Sequence, residues 1–333
     1  MRTSHLLSIA VIALGLAATG CGNKSNVVPT ETKTMPTTPV DLKVNWPPGR
    51  HGVHTDDTQM TMEMNMPWAP SQTVTQATTM TMETALTALP KAADGQRALE
   101  MEMVKTKMDV SMNGKSMLSF DSTKSSAGDT NPAAGTLGKV IGAKVRFILD
   151  DSNYVTSVEG ADELFQKLTS SRDTDPAGTM KSMFSGDALK LQVDFARHLA
   201  GHPVQPGDTW PIHMEYPLGQ LGTLVMDFTN TLTSWEKHHD RWCAKIDFEG
   251  TIQSKPGDSP GVQGMKMNFH DGTCSGETWF NIDMGMFEDG TLYQDMKVDV
   301  IIPNPMARKP GQPKMATILG VMHQVITTKF ELK

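Results

Sequence analysis

Five side chains near the N-terminus carry soft or borderline donor atoms at regular spacing. His51 and His54 precede Met60, Met62 and Met64, and the every-other-residue spacing of the methionines puts their thioethers on one side of an extended strand. Thioether sulfur with imidazole nitrogen suits Cu(I) or Ag(I), so one expectation is a periplasmic metal site made of these five residues. The other is that methionine is a habit of the whole chain. There are 25 Met among 333 residues against 11 Phe and 3 Tyr, and Met80, Met82, Met101 and Met103 repeat the spacing with no histidine nearby. On that reading Met60, Met62, Met64, Met80, Met82, Met101 and Met103 line a sheet face that takes an apolar ligand or an envelope partner, because unbranched, polarizable Met repacks around varied apolar shapes.

Motifs that would carry a reaction do not occur. The nearest run to a nucleophile elbow is Gly272-Thr273-Cys274-Ser275-Gly276, and neither His-Glu-x-x-His nor Cys-x-x-Cys is found. Gly114-Lys115-Ser116 resembles the end of a phosphate loop, but Asp109 stands where its first glycine belongs, so the segment reads as a hairpin turn. Asp150, Asp151, Asp283 and Asp289 fall at expected turns, where Asp bonds its own backbone. His238-His239 reads as an exposed hairpin tip. The expectation is a non-catalytic protein with no cofactor. Cys243 and Cys274 are candidates for a disulfide in an oxidising compartment, with two separate buried thiols as the alternative.

The elements that position these residues are strands. Gln59 to Met66 alternates polar and apolar residues, Pro67 stops it, and Thr79 to Leu86 repeats the pattern. Asp94-Gly95 supplies hairpin chemistry before Leu99, Met101 and Met103. The apolar phase then moves to Met108, Val110 and Met112, which predicts a bulge between Val104 and Thr106. A second hairpin runs from Leu224 to Leu232, turns over Glu236 to Arg241, and returns from Trp242 to Phe248. Phe147, Asp150 and Tyr154 match Phe280, Asp283 and Phe287 at constant offset, so two similar β lobes arising by duplication compete with two convergent hairpins. Between them, Ala161 to Leu168, Thr179 to Phe184 and Asp187 to Leu199 predict helices lying across the sheet or capping its open end, although Leu189, Leu191, Val193 and Phe195 also alternate by two. The fold class is mainly β, α+β by content: a large curved antiparallel sheet with a few helices between residues 161 and 200.

The chain opens with Arg2, an apolar run from Leu6 to Ala18, and Leu16-Ala17-Ala18-Thr19-Gly20-Cys21. The run is too short to span a bilayer and fits a signal peptide. The six residues resemble the lipobox of bacterial lipoproteins, which implies cleavage before Cys21 and acylation of its thiol and amine. Several acyl chains make a stable anchor. Gly22 in place of Asp implies the outer membrane by the sorting rule of Gram-negative lipoproteins. Residues 21–50, rich in Ser, Thr, Pro, Asn and Lys, read as a disordered tether. Removing residues 1–20 takes away Arg2 and leaves 29 Lys plus Arg against 37 Asp plus Glu, a net −8. An acidic surface argues against nucleic acid and a polybasic membrane face.

The remaining divisions are a first β lobe at 51–160, a helical connection at 161–206 and a second β lobe at 207–333. The lipobox, the Pro-Val-x-x-Gly-Asp-x-Trp segment from Pro203 to Trp210, and the Phe-x-x-Asp turns together resemble an uncharacterised family of bacterial envelope lipoproteins. That resemblance extends over most of residues 54–333 and implies architecture more than chemistry. A remoter similarity, to periplasmic lipoprotein carriers whose curved sheets hold acyl chains, is one of fold alone.

Overall fold

The computed structural model describes residues 34–69, 71–124, 138–169, 185–218, 222–255, 266–304, 306–307 and 313–333. Cys21 with its leader and the expected helix from Thr179 to Phe184 lie outside the described residues.

Alternating sequence becomes strand, except at Leu189, Leu191, Val193 and Phe195, which fall in a helix and the 3₁₀ turn after it. The long strands are β2 (His51–Asn65), β3 (Thr73–Ala88), β4 (Arg97–Met112), β10 (Thr223–His238), β11 (Arg241–Lys255), β12 (Lys266–Asn281), β13 (Met286–Pro303) and β14 (Met315–Leu332). Shorter ones are β1 (Val40–Asp41), β5 (Lys115–Asp121), β6 (Lys144–Leu149), β7 (Val155–Glu159), β8 (Pro203–Val204) and β9 (Thr209–Pro217). Twelve form one antiparallel sheet in the order β7-β6-β4-β3-β2-β14-β13-β12-β11-β10-β9, with β5 beside β4, and the sheet is not closed. The turns follow local chemistry. Asp94 Oδ1 accepts from Gln96 N at 2.9 Å, and Asn113-Gly114 turns between β4 and β5 with φ of 49° and 74°, as a tight hairpin requires.

The phase slip is where the apolar pattern places it. Glu83 pairs with Lys105 and Thr84 with Met103, so Val104 is the extra residue of a bulge and stands 42% exposed. Beyond it the inward positions change parity, keeping Met108, Val110 and Met112 on the same face as Leu99, Met101 and Met103.

The segments expected as two β lobes, 51–160 and 207–333, are adjoining halves of one sheet, joined by the pairing of the ends. β14 lies against β2 from Leu319–Asn65 to Leu332–Gly52, so first and last long strands are neighbours at the centre of one continuous sheet over one core. The helices are α1 (Ala161–Thr169) and α2 (Gly186–Val193), the latter capped by Ser185 Oγ, which accepts from Ala188 N. A 3₁₀ turn follows from Phe195 to His198, so the helix expected to reach Leu199 ends at Val193. The α2 helix touches both β7 and β9, the two outer strands, which shows how far the sheet curls. Trp210 Nε1 and Asn230 Nδ2 each donate to His198 O at 3.0 Å, fastening the 3₁₀ turn to β9 and β10.

The tether is shorter than residues 21–50. Leu42, Val44 and Trp46 are buried, and β1 pairs with β8. Asn45 N donates to Gly285 O at 2.9 Å, and Asn153 Nδ2 donates to Val44 O at 2.8 Å. Arg50 Nη1 donates to Asn45 O at 2.6 Å and Met284 O at 2.5 Å, clamping the segment onto the β12–β13 turn. The turn of the second hairpin is likewise tighter than expected: Glu236 to His238 belong to β10, leaving His239-Asp240 as the loop.

Outward positions are mostly polar, with pairs such as Lys297 Nζ to Asp271 Oδ2 at 2.8 Å and Lys105 Nζ to Glu83 Oε1 at 2.6 Å, and with Tyr293, Leu319 and Val321 as exposed apolar exceptions on β13 and β14. The apolar face of the curl therefore points in. Among the described residues no helix is long and apolar enough to cross a membrane.

Candidate binding face

Ladder registers show what the inner face is made of. Met214 pairs with Met226, Met296 with Met322, and Met322 with Met62; Met62 then meets Gln76, which pairs with Met112. Ile252 and Gly272 continue the row from Met226 towards Met296. One level around the curl thus carries six methionines from six strands. Met64 lies one step further along β2 and Met60 one step back, and Met60, Met62 and Met64 are each no more than 3% exposed. Only Met62 of the seven methionines singled out by sequence stands in this row. Met80 and Met82 pair with Thr58 and Asp56, while Met101 and Met103 pair with Leu86 and Thr84 nearer the helices. All seven face inward, but as a staircase rather than a patch. Met214, Met226, Met296 and Met322 were visible as alternating methionines, yet their convergence depends on strand order, which has no local signature.

Next to the row runs a second feature, which sequence reasoning missed. Gln294 and Gln324 are direct cross-strand partners on β13 and β14, both 1% exposed, and Gln324 also pairs with Met60. Neither amide finds a partner at its oxygen or its nitrogen among the described residues. The same is true of Asp56 Oδ1, Thr58 Oγ1, Thr78 Oγ1, Thr106 Oγ1 and Gln76 Nε2, all on the inward side of β2, β3 and β4 and all at least nine-tenths buried. A buried polar atom without a partner costs about 1–3 kcal/mol, against a total stability of about 5–15 kcal/mol for a typical protein. Hydrogen bonds to these atoms, from water or from the polar part of a ligand, would relieve that cost. The detectable signal was a polar residue on the apolar phase, as in Leu292, Gln294, Met296 and Met322, Gln324, Ile326.

The five candidate copper ligands are not brought together. His51 faces outward and bonds Thr87 Oγ1 at 2.7 Å, whereas His54 faces inward with Nδ1 3.2 Å from Asp56 Oδ2. His54 and Met60 are six positions apart along an extended strand, about 20 Å at roughly 3.3 Å per residue, too far to share an ion.

Nor can the two cysteines pair. Cys243 is opposite Asn281 and Cys274 opposite Gly250, so they sit seven positions apart on one ladder. That is about 23 Å at roughly 3.3 Å per residue, against a limit of about 7 Å between Cα atoms for a disulfide. Both are buried and carry no disulfide, and burial pushes the Cys274 thiol up to about 11. In the folded protein neither residue should react with a maleimide, both should react in denaturant, and reductant should leave the melting temperature unchanged; peptide mapping reads this directly. A Cys243–Cys274 crosslinked peptide would contradict the register.

A family model of unknown function, DUF6263, matches residues 94–287. No curated protein matches. Among solved structures, one described as "lipid-protein interactions in lipovitellin" is similar at 8% identity and a TM-score of 0.42, covering 87% of this chain and 25% of that one. The chain thus spans about a quarter of lipovitellin's length. OccK9 (OpdG) of Pseudomonas aeruginosa is similar at 7% identity and a TM-score of 0.20, covering 86% and 98% of the two chains. OpdQ of the same organism is similar at 6% identity and a TM-score of 0.19, covering 84% and 98%. These scores are too low to establish a shared fold.

Proposed function

The chain belongs to the DUF6263 family, and we propose that it is a non-catalytic lipoprotein of the bacterial cell envelope that holds an amphiphile inside its curled sheet. The observation that carries the reading is the pairing of two features on one buried face: a row of methionines from six strands, and beside it a belt of polar atoms without partners. An acyl or other apolar body lies along Met62, Met226, Met296 and Met322, which are each no more than 3% exposed and must part to admit it, as flexible thioethers can. Its polar end meets Gln294 and Gln324, whose paired amides offer donors and acceptors.

Cys21 is the lipid attachment point, and the acyl chains hold the sheet at the outer membrane. The charged outer face supports this division of labour, because a barrel that crosses the bilayer turns its apolar residues outward and this sheet turns them in.

Native mass spectrometry of the full chain from its own membrane, followed by titration with a fluorescent fatty acid, tests the proposal. Expected are an adduct heavier than the lipidated chain and saturable binding of the probe, competed by a lysophospholipid. Absence of both an adduct and saturable binding would leave the sheet a scaffold and end the reading.

A further inference from the structure

The tip of the β10–β11 hairpin and the start of β13 each break a backbone rule, and the two breaks converge on one point. His239 and Asp240 have φ of 47° and 64°, the left-handed pair of a two-residue hairpin turn. Across from them, Thr278 pairs with Gly290 and Phe280 with Phe287, so Trp279 of β12 stands opposite both Glu288 and Asp289. Neighbouring residues of a regular strand point to opposite faces, whereas a bulge re-aims one of them. Here it lets two consecutive carboxylates approach two consecutive imidazoles. His238 Nε2 bonds Asp289 Oδ2, and His239 Nδ1 lies 3.4 Å from Glu288 Oε2 and 3.6 Å from Asp289 Oδ2. One donor atom from each of His238, His239 and Glu288 falls within 4.8 Å of the others.

What surrounds these groups holds them in place. Glu288 is 1% exposed, and its Oε1 accepts from Asn281 Nδ2 at 2.7 Å and from Arg241 Nη1 at 3.3 Å, which leaves Oε2 turned to His239. Asn281 is fully buried and its Oδ1 accepts from the backbone N–H groups of Asp283 and Met284. The His238 ring stacks on Trp279 at 4.6 Å and 10°, and meets the His239 ring edge-on at 4.1 Å. Thr278 Oγ1 donates to Asp289 O at 2.8 Å. Metal ligands oriented by such outer hydrogen bonds are what a bound ion requires. Charge points the same way: two carboxylates, Glu288 and Asp289, face the two imidazoles with one guanidinium, Arg241, beside them.

We infer that His238, His239, Glu288 and Asp289 bind a divalent transition ion, with Zn²⁺ the best match to a two-nitrogen, two-oxygen set. Zinc–ligand bonds of about 2.0–2.2 Å in a tetrahedron place ligand atoms about 3.3–3.5 Å apart; His239 Nδ1 already stands 3.4 Å and 3.6 Å from the two carboxylate oxygens, while His238 and Asp289, now directly bonded, would draw apart to admit the ion. The ion would be structural, tying the hairpin tip to the β12–β13 bulge. This site lies apart from the methionine face and does not depend on the function proposed for it.

The test uses the full chain, stripped with a chelator and titrated with Zn²⁺ against a competing indicator. Expected are one ion per chain, binding at about micromolar strength or tighter, a rise in melting temperature with added Zn²⁺, and visible absorption of a tetrahedral nitrogen–oxygen site when Co²⁺ replaces it. His239→Asn keeps a residue that tolerates the left-handed turn and removes a ligand; it should lower Zn²⁺ affinity at least tenfold while leaving the metal-free melting temperature unchanged. His323→Ala, at an exposed imidazole bonded to Asp295, should change nothing. Substoichiometric binding, or His239→Asn binding as tightly as the parent, would overturn the site.

Discussion

Replacing Gln294 and Gln324 together by methionine should make the ligand-free protein more stable and its ligand affinity worse. The two amides are cross-strand neighbours, buried, and without partners at any of their four polar atoms among the described residues. Methionine has nearly the same length and flexibility, so the substitution removes the polar atoms without opening a hole. Each unpartnered amide costs about 1–3 kcal/mol, and relieving two of them should raise the free energy of unfolding by about 2 kcal/mol or more, read from the denaturant midpoint at unchanged slope. The same change takes hydrogen bonds from the polar end of a bound amphiphile. At about 1.4 kcal/mol per factor of ten, affinity for the fluorescent fatty acid should fall at least tenfold, while a hydrocarbon probe without a head group binds as before. Stability given up inside a binding site is the expected signature of a function that natural selection has kept. A double variant that is less stable than the parent and binds the fatty acid equally well would mean that the amides serve the fold alone.

How much of this was readable beforehand depends on whether the signal is local. The strands, their inward phase and the bulge at Val104 follow from alternation, and the Asp94-Gly95 and Asn113-Gly114 turns from residues that tolerate positive φ. The pairing of β2 with β14 joins segments more than 250 residues apart in sequence and leaves no mark on either, yet it sets the methionine row and places Gln324 beside Met60. Convergence of Glu288 with His238 and His239 depends on a register slip on a different strand pair, so the histidines read as an exposed tip. The polar belt was legible in principle, since Gln294 and Gln324 interrupt the apolar phase of their strands, but an interruption of that kind does not say whether water, protein or ligand answers it.

Trp46→Ala should be the most damaging single truncation in the N-terminal segment. Trp46 is 3% exposed; its ring lies 6.2 Å from Phe330 at 84° and 6.3 Å from Phe195, which in turn lies 6.4 Å from Phe287. The indole thus joins the first segment of the fold to β14 directly and to β13 through the 3₁₀ turn, filling the end of the curl. Removing a buried Trp side chain costs about 3–5 kcal/mol, and each lost aromatic pair is worth about 0.5–1.5 kcal/mol within that sum. Met35→Ala, at a side chain 48% exposed, should stay within about 0.5 kcal/mol of the parent. The contrast locates the boundary between tether and fold: a tether running to residue 50 would make both substitutions silent, whereas a fold that begins near Val40 makes Trp46 part of the core. Chemical denaturation of the two variants side by side decides it, and a Trp46→Ala loss below about 1 kcal/mol would return residues 40–46 to the tether.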